Sequence, residues 1–309
     1  FYNAGPYIDC LLACFSRQDI EESWEILFVD NRSTDDTTQK IADYSGDLPP
    51  YRVLQAGEKA GAGYARNVGV SQAVSPFIAF CDADDEIPDD WAKKMCSGIR
   101  ELDFIGCRIS ELDTNKQSFQ GLMVEMNDKH YNMGLFPFCG AGTMGIRRDI
   151  FLDVGGFDDH LRICEDIDFC YRAQLLGYTL SEHFENTIYY RSRNEEWGLY
   201  KQRYTWGRHE KAIALRYKRF GHDQFAAEGG SVFRLIKHSV AYVLRFYNQR
   251  KRIETALKIC KNLSSLMPPL PEANLPIRID EARLKRSEES KSENKVESTL
   301  GTVRAHRAY

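Results

Sequence analysis

The sequence predicts an α/β fold in which helices flank a mostly parallel sheet. Strand-like and helix-like segments alternate through the first half of the chain, short apolar runs end at acidic turns, and helical patterns fill the region beyond. The chain has 309 residues, of which 43% are hydrophobic and 28% are charged. These values are ordinary for a globular protein. They exclude a disordered tail protein, a collagen-like fibre and a small disulfide-stapled domain.

The first predicted unit is a strand followed by a helix. Residues 25–30 are an apolar run that predicts a short buried strand, and Ser33 is a favourable N-cap for a helix over residues 34–44. Residues 60–74 predict a second helix, which Pro76 ends.

The next unit carries an acidic turn. Residues 77–81 predict another buried strand, the acidic turn 82–86 follows it, and a helix is expected to begin near Trp91. The chain is then less regular, with strand-like pieces at residues 103–109 and 143–146.

Mainly helices are predicted from there on. One begins near Glu165 and ends at Gly177, which suits a helix C-cap. The pattern is again helical from Tyr200, and seven apolar residues there fall on one stripe with basic residues opposite. These seven are Val232, Phe233, Leu235, Ile236, Val240, Val243 and Leu244. Prolines end this region, and the charged, Ser-rich sequence after Asp280 predicts disorder.

The charge is distributed unevenly along the chain. The net charge is −4, yet residues 187–271 contain 17 Lys/Arg and 6 Asp/Glu, which leaves −15 for the other segments. A basic region of this kind suggests an anionic partner such as phosphate groups, an acidic polymer or a lipid surface. A solvated helical face is the alternative, and charge alone does not separate the two.

The cysteines and the apolar runs bear on location. The nine cysteines are scattered without tight pairs, which predicts buried thiols in a reducing, cytoplasmic compartment. No run approaches the roughly 18 apolar residues that a membrane span needs. No signal peptide opens the chain, which starts at Phe1 and is therefore expected to be trimmed at its front.

Two acidic positions directly follow predicted strands. Asp30 and Asp82 are therefore expected at the carboxyl edge of the sheet, where open α/β sheets bind ligands. Residues two apart in an extended segment point the same way, so Asp82 and Asp84 can face one cation. Two carboxylates suit Mg²⁺ or Mn²⁺ shared with substrate phosphates. The alternative is an acidic loop that only caps the helix near Trp91.

Two further segments suit a ligand site. The glycine-rich residues 60–63 precede Arg66, and their N–H groups or Arg66 could bind a phosphate, although a flexible helix start is the alternative for the glycines. Glu165 and Asp166 lie at a predicted loop–helix junction, where two acids can supply a general base.

Polar and aromatic residues that follow Asp166 have structural interpretations, and for the aromatic ones a functional interpretation is also open. Asp168 is expected to pair with Arg172 one helical turn later. The aromatic and basic residues 197–206 either stack on sugar rings or form the core of a helix.

Six motifs occur in a fixed order along this part of the chain. They are Phe1–Tyr7, Val29–Asp35, Ala65–Gly69, Phe80–Asp85, Gly155–Asp158 and Glu165–Asp166. In this order they resemble family 2 glycosyltransferases over residues 1–220. The resemblance implies a GT-A fold, a nucleotide-sugar donor and a single inverting displacement. It also implies that the family's first strand, which should precede Tyr2, is missing from this sequence.

The resemblance implies roles for the residues on the donor side. Tyr2 would stack on the nucleotide base, and Asp30 and Asn31 would read its edge. Asn31 stands where many members have Asp, and its ability to accept from uracil suits a UDP- or dTDP-sugar. Asp82 would hold ribose or a metal-bound water, and Asp84 would ligate Mn²⁺ or Mg²⁺.

On the acceptor side, Asp166 with Glu165 beside it resembles the base that deprotonates the acceptor hydroxyl. Processive synthases carry Gln-x-x-Arg-Trp, whereas this chain has Thr205 at the Arg position. We therefore expect a non-processive enzyme that adds one sugar to a saccharide or a lipid-linked acceptor, with no nucleic acid as a partner. Peripheral contact with an anionic membrane surface at its inner face is part of this expectation.

The predicted domain organisation has three parts. Residues 1–220 would form the catalytic domain, residues 221–271 a basic helical extension and residues 272–309 a disordered tail. Two other functions remain open on a related fold. A sugar-nucleotide nucleotidyltransferase would need a glycine-rich loop with Arg and Lys near the start, which this sequence does not show. A non-catalytic carbohydrate-binding protein would not need the acids retained here.

Overall fold

A computed structural model describes residues 1–111, 131–132, 135–191, 195–221, 232–245, 247–281 and 284. Helices flank a central sheet, as the sequence predicted, and long helices follow it. The helices are α1 (Ile8–Ser16), α2 (Thr37–Asp43), α3 (Ala62–Gln72), α4 (Trp91–Glu101), α5 (Arg148–Val154), α6 (Glu165–Leu175), α7 (Glu196–Arg216), α8 (Val232–Leu244) and α9 (Gln249–Leu266). The strands are β1 (Ile26–Asp30), β2 (Tyr51–Gln55), β3 (Phe77–Ala79), β4 (Phe104–Glu111), β5 (Tyr131–Asn132), β6 (Pro137–Phe138), β7 (Met144–Arg147) and β8 (Leu180–Tyr190).

The described strands pair in both directions. β1 and β2 are parallel, and the larger sheet has the order β3-β7-β4-β8. β4 and β8 are parallel, whereas β7 is antiparallel to both of its neighbours, as β5 is to β6. The α/β class is therefore confirmed with a mixed sheet, because β7 reverses direction after the irregular stretch.

A cavity of about 1030 Å³ lies between β1 and β3. Its lining includes the apolar side chains of Leu11, Phe28, Ile78, Trp91 and Met95. At one end, the Phe1 ammonium donates to Val29 O over 2.6 Å, and Asn31 N donates to Phe1 O over 2.8 Å. Phe1 thus lies beside β1 in the manner of a neighbouring strand. The family's additional first strand stays a prediction.

Two hydrophobic cores lie on opposite faces of β4. Phe104 belongs to the core that contains Phe151, Phe157 and Phe169. The adjacent Ile105 belongs to the core built by α1, β1 and α4. Successive residues of a strand point to opposite faces, which explains this division. Five of the nine cysteines are buried, namely Cys14, Cys107, Cys139, Cys164 and Cys170.

Helix α2 begins later than the sequence predicted. Asp36 rather than Ser33 occupies the N-cap position. Ser33 Oγ instead accepts from Asn3 N over 3.0 Å, and Thr34 N donates to Asn3 Oδ1 over 2.8 Å. The turn before α2 is therefore used to hold the first residues of the chain.

The C-terminal segment packs against one of the two hydrophobic cores. Residues 272–281 fall within the predicted disordered tail, yet Leu275, Ile277 and Ile279 contact the core around Phe169. The packing of these side chains contradicts the predicted disorder of residues 272–281. The tail from residue 285 lies outside the described residues. Among the helices that the structure describes, none is long and apolar enough to cross a membrane.

Candidate active site

Three carboxylates follow one another in the acidic turn beyond β3. The Asp82 side chain is 44% exposed, and Asp84 is exposed. Asp85 is buried, and desolvation, followed by repulsion from Asp82 and Asp84, raises its pKa to about 8. The turn therefore presents two carboxylates toward solvent while the third holds its proton at neutral pH.

Arg66 on α3 connects this turn to the acid pair at the start of α6. Its Nη2 donates to Asp82 Oδ1 over 2.6 Å, and its Nη1 donates to Glu165 Oε1 over 2.9 Å. Burial alone would lower the pKa of this guanidinium, but attraction to Asp82 and Glu165 raises the pKa above its ordinary value. Arg66 is thus a fixed positive charge between two of the predicted site residues.

Both acids at the start of α6 have pKa values raised above their ordinary range. Glu165 is buried, and desolvation and then repulsion from Asp166 raise its pKa to about 7. Desolvation also raises the pKa of Asp166, although its Oδ1 accepts from Ile167 N over 2.8 Å. A carboxyl pair with raised pKa values can exchange a proton with a substrate close to the working pH.

Backbone geometry places this pair at the helix terminus. Cys164 precedes α6 with φ 65°, a left-handed conformation that is strained for a residue with a side chain. Glu165 and Asp166 follow in the first turn, where the helix dipole favours carboxylates.

Two glycines allow the backbone to approach the site carboxylates. A Cβ at Gly63 would lie 3.1 Å from Glu165 Cγ, and a Cβ at Gly142 would lie 2.5 Å from Asp82 Oδ2. The glycine at 63 was interpreted from sequence as a flexible helix start. The structure gives it a packing role, because a Cβ at this position would press on Glu165, which would have to shift by a few tenths of an ångström.

The turn after β1 is organised by its own hydrogen bonds. Asp30 Oδ1 accepts from a backbone N–H three residues later over 2.9 Å. Asn31 Nδ2 donates to Ala56 O and Lys59 O over 2.6 and 2.8 Å, and its Oδ1 accepts from Gly61 N over 2.9 Å. Asn31 therefore holds the loop over residues 56–61, while Oδ1 retains a second lone pair. Recognition of a base by this turn stays a prediction.

The cavity between β1 and β3 collects most of the residues predicted for the donor. Its lining includes Tyr2, Asn31, Arg66, Asp82 and Asp84. The Tyr2 side chain is 63% exposed, and so its ring is accessible to a ligand. Glu165 does not line this cavity but is joined to it through Arg66, and Asp166 lies beside Glu165.

Arg191, which sequence analysis missed, holds the acidic turn from the end of β8. Its Nε donates to Asp84 O over 3.1 Å, its Nη2 donates to Glu86 Oε1 over 2.8 Å and its backbone N–H donates to Asp85 Oδ1 over 3.3 Å. The guanidinium also lies 5.2 Å from the centre of the Tyr7 ring. No local signal marks this arginine, because its partners lie more than one hundred residues earlier.

Possible metal ligands also meet at a second place. Asp158, Asp159 and His160 have ligand atoms within 4.8 Å of one another, which is compatible with a cation. Their carboxylates also have cationic partners, since Arg216 lies 2.7 Å from Asp158 and Lys59 lies 2.6 Å from Asp159. Arg216 and Lys59 therefore already supply positive charge at this cluster.

The predicted pair between Asp168 and Arg172 is confirmed. The two side chains are fully buried and 2.8 Å apart. Arg216 Nη1 lies 3.2 Å from Asp168, and the Tyr217 hydroxyl donates to Asp168 over 2.8 Å. Asp168 therefore joins α6 to the end of α7 and has a structural role.

The aromatic residues 197–206 divide between the two interpretations. Tyr200 and Trp206 pack on a small core formed by α7 and α9, whereas the Trp197 side chain is 75% exposed. Trp197 is therefore available to stack on a sugar from the solvent side of α7, and Tyr204 is partly exposed.

The acidic turn has donor chemistry that fits a hard divalent cation. Asp82 and Asp84 offer carboxylate oxygens at an accessible edge, and such oxygens are preferred by Mg²⁺ and Mn²⁺. Arg66 binds Asp82 Oδ1, which leaves Oδ2 on the side of Gly142. These residues can therefore hold the cation that the sequence analysis expected.

Comparison with known proteins identifies relatives of this chain. The family model "Glycosyl transferase family 2" matches residues 1–155, half of the chain. Glycosyltransferase AglE of Haloferax volcanii is 28% identical over 189 residues, which cover 58% of this chain and 61% of AglE. The amylovoran biosynthesis glycosyltransferase AmsB of Erwinia amylovora is 30% identical over 194 residues, which cover 57% of this chain and 62% of AmsB. The matches thus span about three fifths of these two relatives.

Solved structures show the same fold. The mannosyltransferase PcManGT from Pyrobaculum calidifontis, in complex with GDP-Man and Mn²⁺, has a TM-score of 0.58 and 18% identity and covers 86% of this chain and 85% of its own. S. aureus TarS 1-349 in complex with UDP-GlcNAc has a TM-score of 0.51 and 20% identity and covers 91% of this chain and 95% of its own. The fold is therefore of the GT-A type.

Proposed function

We propose that this chain, which belongs to glycosyl transferase family 2, transfers one sugar from a nucleotide-sugar donor to a hydroxyl group of an acceptor. One residue carries the proposal, since Arg66 donates to both Asp82 and Glu165. It joins the turn expected to hold the donor diphosphate to the acids expected to activate the acceptor. Transfer by direct displacement requires these two functions on either side of one reacting centre.

The donor would be a UDP- or dTDP-sugar at the polar part of the cavity, which Tyr2, Asn31 and Arg66 line. The exposed ring of Tyr2 would stack on the base, and Asn31 Oδ1 would accept from its N3–H group. The related structures were solved with UDP-GlcNAc and with GDP-Man, which supports a nucleotide sugar as the class of donor.

Asp84 and Asp82 would hold Mn²⁺ or Mg²⁺ together with the donor diphosphate. A cation bound there would offset the negative charge that develops on the departing diphosphate. Arg66 would orient Asp82 through the 2.6 Å contact to Oδ1, and Arg191 would hold the turn through the carbonyl of Asp84.

Asp166 would act as the general base, with Glu165 tuning its charge. The acceptor oxygen would attack the anomeric carbon while the bond to the diphosphate oxygen breaks. The hydroxyl proton would pass to the Asp166 carboxylate. A single displacement from the face opposite the leaving group inverts the anomeric configuration.

The acceptor would be a saccharide or a lipid-linked molecule that receives one sugar. Thr205 replaces the arginine of the processive motif, which favours release after one transfer. The protein would act in the cytoplasm, which the scattered cysteines predict.

A donor panel tests the proposal. The protein would be incubated with UDP-, dTDP- and GDP-sugars in the presence of Mn²⁺, Mg²⁺ or EDTA, and release of the nucleoside diphosphate would be measured. We expect slow hydrolysis of at least one donor with a divalent cation and none with EDTA, and NMR of a transferred product should show an inverted anomeric carbon.

Three results would contradict the proposal. Turnover that depends on pyrophosphate would identify a nucleotidyltransferase. Sugar binding without release of any diphosphate would identify a carbohydrate-binding protein. Release of diphosphate from a donor that is unchanged by EDTA would remove the metal from the mechanism.

A further inference from the structure

Helix α8 leaves an apolar surface open to solvent. None of its residues is buried, although its sequence is rich in large apolar side chains. Seven of these side chains in and just beyond the helix are at least half exposed, and we call them the α8 stripe. They are Val232, Phe233, Ile236, Val240, Val243, Leu244 and Tyr247.

The α8 stripe occupies a single face of the helix. At 3.6 residues per turn, its seven positions fall within an arc of about 120°. The opposite face contains Leu235, His238 and Tyr242, which are half-buried. His238 Nδ1 lies 2.9 Å from Asn262 Nδ2, which shows that this opposite face packs on α9. Leu235, which the sequence analysis assigned to the stripe, therefore belongs to the packed face.

The surroundings of the stripe are strongly basic. Residues 232–261 contain eight Lys/Arg and one acid, Glu254. Lys237 is exposed at the edge of the stripe, whereas Arg245 lies on the side of α9, where its Nη1 donates to Thr255 Oγ1 over 2.7 Å. An apolar face flanked by cations is complementary to a surface with hydrocarbon below a layer of negative charge.

The composition of the stripe favours lipid over protein as its partner. It is aliphatic and aromatic from end to end, with a tyrosine at one end where a polar tip would meet headgroups. A protein partner would need an apolar groove with acidic residues at its edges. An anionic bilayer offers hydrocarbon and negative charge together over its whole surface.

We propose that α8 lies in the surface of an anionic lipid bilayer, with the α8 stripe at the boundary of the acyl chains and Lys237 among the headgroups. This binding adds a membrane partner to the protein and does not depend on the transfer reaction. Helix α9, which packs on the other face of α8, would remain on the aqueous side.

Sedimentation with vesicles tests the proposal on the whole protein. Vesicles of phosphatidylcholine with phosphatidylglycerol would be compared with phosphatidylcholine alone, at low and high salt and without donor. We expect anionic vesicles to bind much more protein and high salt to reduce that binding, because salt screens headgroup attraction.

Three variants sharpen the test. The double variant Ile236→Asp/Val240→Asp places charges at the centre of the stripe and should reduce binding to anionic vesicles by about tenfold or more. Lys237→Gln should reduce it by about fivefold. The matched control is Val74→Asp, because Val74 is 85% exposed but lies on a loop remote in sequence from α8, and it should bind as the unchanged protein does.

Several outcomes would overturn the proposal. Equal binding to neutral and anionic vesicles would remove the lipid preference, and an equal loss in the Val74→Asp variant would remove the assignment to α8. A dimer in solution that the double variant converts to a monomer would show that a second copy covers the stripe. Lys237→Gln alters no apolar contact, so full binding by this variant would contradict the basic contribution without any question of folding.

Discussion

One group of carboxylates lies in the turn after β3 and at the start of α6, and another contacts the end of α7. The charges of the two groups are controlled in opposite ways. Asp85, Glu165 and Asp166 have raised pKa values, chiefly because burial disfavours their charged forms. For Asp158, burial would raise the pKa, but the hydrogen bond from Arg216 lowers it below its ordinary value. Asp168 is likewise matched by buried arginines.

The difference separates a functional arrangement from a structural one. Beside the first group, Arg66 is shared between Glu165 and Asp82 of the acidic turn, and so negative charge is left for a metal or for a proton. In the second, Arg172 and Arg216 bind two aspartates, and little of the charge is left to bind a ligand. Perturbed pKa values without full compensation are typical of catalytic sites.

Asp84→Ala should have the largest effect. The variant should lose metal-dependent binding of UDP, because Asp84 is exposed in the turn expected to hold the cation. Calorimetry of UDP binding with Mn²⁺ measures this, with unfolding temperature as a check on the fold. Asp159→Ala in the Asp158–His160 cluster is the matched control and should bind normally. If Asp159→Ala lost UDP binding and Asp84→Ala bound normally, the metal would belong to that second cluster.

Asp166→Asn should have the second largest effect. It retains size and most hydrogen bonds but removes the proton acceptor, so transfer to acceptor should fall by about 10²–10⁴-fold while UDP binding is retained. Glu165→Gln should lose less if Glu165 only tunes its neighbour. If Asp166 served only the helix dipole, the Asn variant would lose roughly 0.3–1 kcal/mol of stability and keep its rate. Single-turnover rates and melting curves on one preparation distinguish these results.

Arg172→Met tests the structural group. It leaves Asp168 buried without its closest cation, and removal of one partner from a buried pair typically lowers the free energy of unfolding by about 3–5 kcal/mol. Arg66→Met should lower it less, since Asp82 is 44% exposed and can be solvated. Urea denaturation of both variants measures the difference. An equal loss of unfolding free energy in the two variants would contradict the distinction between the two groups.

A pH dependence of stability should follow from the raised pKa of Asp85. The folded-state pKa of Asp85 is raised from 3.8 to about 8, so its contribution is present in full below pH 3.8 and is lost as pH rises through 8. Relative to Asp85→Asn, the unchanged protein should therefore lose melting temperature across this window.

Asp158 should show the opposite sign. Its folded-state pKa is lowered, so its stabilising contribution is present above the unfolded-state pKa and is lost as pH falls through the folded one. Asp158→Asn should therefore be most destabilising at neutral pH and less so in acid. Melting curves of Asp85→Asn and Asp158→Asn with opposite pH trends would support the comparison, and parallel trends would contradict it.

Elements with a strong local pattern were predicted well. β1, α3 and α4 lie close to their predicted positions because apolar runs and helix breakers mark them. β8 was missed, since its sequence alternates few apolar with many polar residues and it occupies an edge of the sheet. Its partner β4 begins more than seventy residues earlier, and no local signal reports such a pairing.

The sequence by itself determined which acids follow strands and begin α6, and it determined the order of motifs that gives the family. Only the tertiary structure decided which of these acids stay available. Arg66 reaches Glu165 across 99 residues of sequence, and Arg216 reaches Asp158 across 58. The charge of a carboxylate depends on its burial and on cations within a few ångströms, and these distances are set by packing between elements that are remote in sequence.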